Sequence, residues 1–256
     1  MRLPDLQQRA LRVPAGVRYM LGSALAFATM SWLVKLAGRG LPSQEIVLVR
    51  SAILLVSSYL LVRRAGISPW GRQRRLLLLR GLLGFGALSC FFFGLTRLPL
   101  AEATVIQYTN PIFTVVFAAV FLRERATSQV MVGIAVSLAG VVLVTRPAGL
   151  GLPASLDTTG LLVALLGAVI SGGVYTLVRR LKGEHPLVVI FYFPLVATPA
   201  TIPFLLIDAV WPTAGQWLVL LGLGLASQAG QICLTRGLAL EPAGRAMSVA
   251  YAQVLF

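Results

Sequence analysis

Apolar residues along the chain gather into nine long runs separated by short basic or polar connections. The runs cover about residues 17–36, 44–62, 76–96, 100–122, 127–145, 158–178, 187–207, 216–235 and 243 onward. Each is near the ~20 residues that a helix needs to cross bilayer hydrocarbon, so the pattern predicts a bundle of membrane-spanning helices. The later runs repeat the earlier ones. Leu33-Val34-Lys35 with Pro42 aligns with Leu177-Val178-Arg179 and Pro186 at an offset of 144. Gly94-Leu95, Pro99, Ala103, Tyr108 and Phe113 align with Gly237-Leu238, Pro242, Ala246, Tyr251 and Phe256 at an offset of 143. Register kept through helices and loops alike points to a duplication.

The first unit, residues 17–146, holds five runs, and an odd number forces its copy to enter the membrane from the opposite side. The expectation is an all-α membrane protein of two inverted five-helix repeats. The second unit, residues 158–256, holds four runs, and adding the offset to the end of the first places a complete second unit's end at about residue 289. The chain therefore reads as a ten-helix architecture that stops partway through its ninth span. Residues 1–16 read as a basic cytoplasmic tail, and the apolar run after them reads as a retained first span, not a signal peptide.

Composition removes the soluble alternatives. Hydrophobic residues make up 57% and charged residues 12% of the chain, against about 25% charged in soluble domains, and the mean hydropathy is +0.86. A net charge of +14 raises the question of nucleic acid, which the placement of the charges answers. Arg2, Arg9, Arg12, Arg18, Arg63, Arg64, Arg72, Arg74, Arg75, Arg123, Arg125, Arg179, Arg180, Lys182, Arg236 and Arg245 fall in one set of alternate connections. Only Lys35, Arg39, Arg97 and Arg146 fall in the other. Sixteen against four is a topology signal that puts the amino terminus in the cytoplasm of an inner-membrane protein and excludes nucleic-acid binding. Cys90 and Cys233 both lie within spans and carry no information on compartment.

Enzymatic constellations are missing from the sequence. A single histidine, His185, supports neither a triad nor a metal cluster. There is no GxxxxGK[ST] loop to hydrolyse nucleotide, and no metal or cofactor is expected. The chemistry that remains is polar groups inside apolar spans. Arg50 lies about two turns inside the second span, where a central arginine costs roughly 2.5–3.5 kcal/mol. It either snorkels outward, pairs with Glu45 or Glu102 near the same membrane face, or meets an anionic group of a substrate. Arg80 sits closer to a span end and is expected to snorkel. Gln107, Tyr108 and Asn110 precede Pro111, which is expected to kink the fourth span and free a carbonyl one turn earlier. Tyr251 is the repeat partner of Tyr108. Tyr175 and the same-face pair Gln228 and Gln231 complete the candidate lining. Trp32 reads as an interfacial residue. Gly133, Ser137 and Gly140 are spaced for close helix contact, in the bundle or across a homodimer, and Ser171-Gly172-Gly173 for a packing notch.

The stretch AEATVIQYTNPIFTVVFAAVFLRERAT, residues 101–127, resembles the fourth helix of the EamA family of the drug/metabolite transporter superfamily. GIAVSLAGVVLVTRP, residues 133–147, is similar to that family's fifth helix, and Arg50 matches a position where the family often carries arginine. The chain departs from the pattern at Val254, which stands where the first repeat has Pro111. The resemblance implies a secondary carrier, an exporter of amino acids or other small metabolites by alternating access. The reading from a different class is a non-transporting membrane assembly partner or sensor.

Overall fold

The computed structural model describes residues 13–145 and 157–256, apart from positions 39, 99, 126 and 209. Most of the basic tail, with Arg39 and Arg146, falls outside those residues. Among the described residues every regular element is a helix: α1 (Ala15–Ala37), α2 (Ser43–Arg64), α3 (Arg74–Arg97), α4 (Leu100–Gln107), α5 (Asn110–Leu122), α6 (Ser128–Thr145), α7 (Thr158–Arg180), α8 (Pro186–Asp208), α9 (Ala214–Leu240), α10 (Ala243–Ala250) and a closing 3-10 turn, Tyr251–Leu255. Proline opens several of them, with Pro14, Pro42 and Pro242 as N-caps and Pro186 as the first residue of α8. Proline's missing N–H costs nothing in a first turn, where that donor has no helical partner. Asp157 caps α7 by accepting from the Thr159 N–H, and Thr213 with Gln216 forms a reciprocal capping box on α9.

Among the described residues six stretches are long and apolar enough to cross a membrane: α1, Gln44–Arg64 of α2, Val105–Leu122, α7, Pro186–Pro203 of α8, and α9. Helix α3 is as long but carries Arg74, Arg75, Arg80 and Arg97. The apolar character continues on the outside, where Leu25, Trp32, Val56, Val120, Phe121, Val136, Leu162, Leu218 and Leu225 are all exposed. A patch of that extent fits a hydrocarbon solvent.

Two sequence expectations are corrected. The fourth span is two helices, not one kinked helix, since α4 ends at Gln107 and α5 begins at Asn110 with Pro111 in its first turn. Arg80 does not snorkel: it is 3% exposed, inside the bundle, because α3 turns it toward α8 and α9 and away from the surface.

Hydrogen bonds between connections show that alternate chain reversals share an end. The Glu184 carboxylate, between α7 and α8, accepts from the backbone N–H groups of Arg72 and Gln73 at 2.8 and 2.6 Å. Glu124 accepts from Arg179 at 2.8 Å and from the Ala243 N–H at 2.9 Å. At the opposite end, Glu45 accepts from the Val210 N–H at 3.1 Å and Arg97 pairs with Asp157 at 3.1 Å. The Arg97 guanidinium holds the Asp157 carboxyl below its ordinary range, with help from backbone donors of Gly160 and Thr159.

Between the ends, α1 packs along α9, α3 along α7 and α2 along α8. Helix α8 also touches α3 and α2 touches α9, while α5 rests on α7 and α10 on α1. Small residues set the separations. A Cβ on Gly94 would fall 2.8 Å from the Ala164 Cβ, one on Gly237 2.5 Å from the Met20 sulfur, and one on Gly172 2.6 Å from the Phe113 Cβ. The expected notch at Ser171-Gly172-Gly173 is thus a packing contact of α7 on α5. Gly133 approaches Ser248, while the side chains of Ser137 and Gly140 lie outside the described set.

Candidate functional site

The break in the fourth span generates the site. Pro111 has no N–H for the carbonyl of Gln107, and the chain tightens instead: the Thr109 N–H bonds to the Ile106 carbonyl and the Ile112 N–H to the Thr109 carbonyl, both at 3.0 Å. The Tyr108 carbonyl, which a continuous helix would join to residue 112, accepts from the Tyr251 hydroxyl at 2.8 Å. The two tyrosine rings stack with centroids 5.9 Å apart. On the other strand of this contact α10 ends at Ala250 and the backbone tightens into a 3-10 turn beginning at Tyr251. Two helix breaks therefore meet through their own first residues, and an exposed backbone acceptor is satisfied across the contact.

Beside this junction lies a cavity of about 60 Å3 whose wall includes Ser23, Phe27, Tyr108, Asn110, Tyr175 and Tyr251. Pro111, Leu234, Met247 and Gln253 also border it. It has room for a few waters and is far smaller than the roughly 300–1,000 Å3 of ordinary ligand pockets. Asn110 is 8% exposed and Tyr251 5%, so both side chains are buried in its wall.

Four of the seven candidate residues from the sequence, Tyr108, Asn110, Tyr175 and Tyr251, meet at this cavity. Gln107 sits just outside it, its amide 3.5 Å from the Ser171 hydroxyl and its Oε1 buried without a partner. Arg50 and Gln228 belong to a second polar group, centred on α9. The Arg50 Nε donates to the Ser227 hydroxyl at 2.9 Å, Ser58 donates to the Gln228 carbonyl oxygen at 3.1 Å, and the Arg80 Nη2 donates to the Gln231 carbonyl oxygen at 3.1 Å. The carboxylate partners expected for Arg50 are engaged elsewhere or absent, since Glu45 is bonded to Val210 and one Glu102 oxygen is buried without a partner. Sequence reasoning missed Ser58, Ser227 and Phe193. Ser227 is adjacent to Gln228 and one turn from Gln231 on one apolar helix, a polar row that was visible; nothing in the pattern marked Phe193 among the apolar residues of α8. Trp32, 65% exposed, lies on the outer surface and takes no part.

A larger cavity, about 260 Å3, opens at the end that gathers the basic connections, between α5, α6 and α10, with Glu124, Arg125 and Arg245 in its wall. Among the described residues no group of His, Cys, Asp and Glu could hold a metal ion.

Comparison with known proteins fits this architecture. The chain matches the EamA-like transporter family over residues 14–146 and again over residues 158–256. It is 34% identical over 244 residues to the pseudopaline exporter CntI of Pseudomonas aeruginosa, covering 94% of this chain and 84% of that protein. It is 30% identical to solute carrier family 35 member G1 of Mus musculus, covering 94% of this chain and 69% of the other. A solved crystal structure superposes with a TM-score of 0.83 at 22% identity, over 93% of this chain and 84% of that one, which establishes likeness of fold.

The Tyr251→Phe variant keeps the stacked ring and removes the donor to the Tyr108 carbonyl. It should cost about 1 kcal/mol of stability, read as a lower Tm of the detergent-solubilised protein. An unchanged Tm would show that the bond does not hold the two breaks together.

Proposed function

This chain belongs to the EamA-like transporter family, and from that premise we propose that it exports amino acids or other small metabolites by alternating access about the Tyr108–Tyr251 junction. The observation that carries the proposal is that residues 143 positions apart, equivalent in the two sequence repeats, touch each other across the site. A residue meets its own repeat partner only near a pseudo-twofold axis, and inverted repeats bind their solutes on that axis.

Reciprocal packing supports the same reading. The α1 contact with α9 has its counterpart in α7 with α3, and α10 on α1 has its counterpart in α4 on α7. Gly237 against Met20 mirrors Gly94 against Ala164, since each pair maps onto the other by the 143 and 144 offsets. Leu98 and Glu241, also 143 apart, both end their helices in extended backbone, with φ of −114° and −112°. Two similar halves joined as inverted repeats can exchange conformations, and the exchange opens a central chamber to each side in turn. Outward direction rests on the relative named as an exporter, and coupling to an ion or solute gradient follows from a sequence without a nucleotide-hydrolysing loop.

The full chain in proteoliposomes loaded with single radiolabelled amino acids and related metabolites should show saturable flux for at least one of them. Asn110→Ala and Tyr175→Phe should each lower that flux at least about fivefold without lowering the amount of folded protein. Flux that does not saturate, or that neither substitution changes, contradicts the cavity as the site.

Orientation is proposed from charge: the basic connections around Gln73 and Gly183 face the cytoplasm of an inner membrane, and Asp157 faces outward. In a background lacking Cys90 and Cys233, cysteines introduced at positions 73 and 183 should resist an impermeant thiol reagent in intact cells and react after lysis. Labelling in intact cells reverses the assignment.

A further inference from the structure

The chamber explains Tyr108, Asn110, Tyr175 and Tyr251 but leaves two buried guanidiniums unaccounted for. Arg50 from α2 and Arg80 from α3 are 8% and 3% exposed and lie over the same ring, that of Phe193 on α8, at 5.7 and 5.2 Å from its centroid. One ring's negative face offsets part of a cation's cost and carries no net charge, so two cations on it stay uncompensated. Their polar neighbours, Ser227 and Gln231, are neutral. The ion pairs among the described side chains all lie at the helix ends, Arg97 with Asp157, Arg179 with Glu124 and Arg245 with Glu241. None reaches Arg50 or Arg80.

On Arg80 and Gln228 the leftover hydrogen-bonding capacity is donor capacity. Arg80 keeps Nε and Nη1 buried without a partner, and Gln228, whose carbonyl oxygen is taken by Ser58, keeps its Nε2 buried without one. These atoms are donors only. Buried donors without acceptors cost about 1–3 kcal/mol each, more where charged, and a cluster of them around two cations is a site built for an acceptor with negative charge. Tyr175 joins this cluster to the chamber, because it borders the cavity and lies within electrostatic reach of Arg80.

We propose that Arg50 and Arg80, braced on Phe193, form an anion subsite beside the central chamber, and that the transported solute carries a carboxylate that binds there. The proposal rests on the transport reading above and narrows its substrate class to acids. A guanidinium holds a carboxylate through two parallel N–H bonds, and a planar fork stacked on a ring cannot be replaced by an ammonium point charge.

Proteoliposomes holding the full chain and loaded with matched solutes provide the test: lactate against lactamide, succinate against its diamide, and putrescine as a cation. Acids should pass at least about tenfold faster than their amides. In Arg80→Gln, and in Arg50→Lys, which keeps the charge, that preference should fall at least about tenfold in protein that remains monodisperse. Should Arg80→Gln fail to fold, the acid-over-amide preference of the unaltered protein still decides. Equal passage of acid and amide, preference for putrescine, or an intact preference in folded Arg80→Gln overturns the anion subsite while transport stands. Absence of saturable flux for every solute overturns both readings.

Discussion

Hydrocarbon supplies no hydrogen bonds, so every polar group inside the bundle has to be answered by protein or by cargo. That constraint organises the interior. Ser227, Gln228 and Gln231 form a polar row on α9 that meets Arg50, Ser58 and Arg80 from two other helices, and the exposed surfaces of the same helices remain apolar. The row ties α2 and α3 to α9 at mid-depth, while carboxylates tie the connections together at each end. What the row does not answer is the charge of the two arginines.

The backbone obeys the same constraint. Pro111 breaks the fourth span, and a break in hydrocarbon would leave carbonyls unsatisfied at several kcal/mol each. The structure meets this with tightened turns and with the Tyr251 hydroxyl on the Tyr108 carbonyl. The second break, after Ala250, has no proline, since Val254 occupies the position equivalent to Pro111. Proline is therefore not necessary for such a break, and α8, which runs unbroken through Pro194, Pro199 and Pro203, shows that it is not sufficient either. Irregular backbone at depth is tolerated where it borders a cavity, and a membrane bundle that keeps two such breaks in contact has a natural place to flex.

Much of this was legible in the chain. The all-helical class, the sharing of ends by alternate connections and the cavity residues Tyr108, Asn110, Tyr175 and Tyr251 follow from apolar run length, basic-residue placement and the few polar groups within spans, whereas nine runs were expected and six stretches qualify as spans among the described residues. Run length does not distinguish one kinked helix from two short ones, because both bury the same residues, so the break at Tyr108 was read as a kink. Depth along a helix likewise does not reveal rotation about its axis. Arg80 lies six residues into α3, close enough to snorkel by position, and only packing of α3 against α7 and α8 turns it inward. Phe193 was invisible for a related reason: an aromatic among apolar neighbours gains a role only from the cations that other helices bring to its face.

The central claim, that two halves rock about the Tyr108–Tyr251 junction, is tested most directly by distances between spin labels in the reconstituted protein. One pair, at Arg97 and Thr213, reports the end holding the Arg97–Asp157 pair, and another, at Arg64 and Lys182, reports the basic end. The account predicts two distance populations at each end, and a transported solute shifts them in opposite directions, one end closing as the other opens. A single population at both ends, unchanged while solute is being transported, would contradict it.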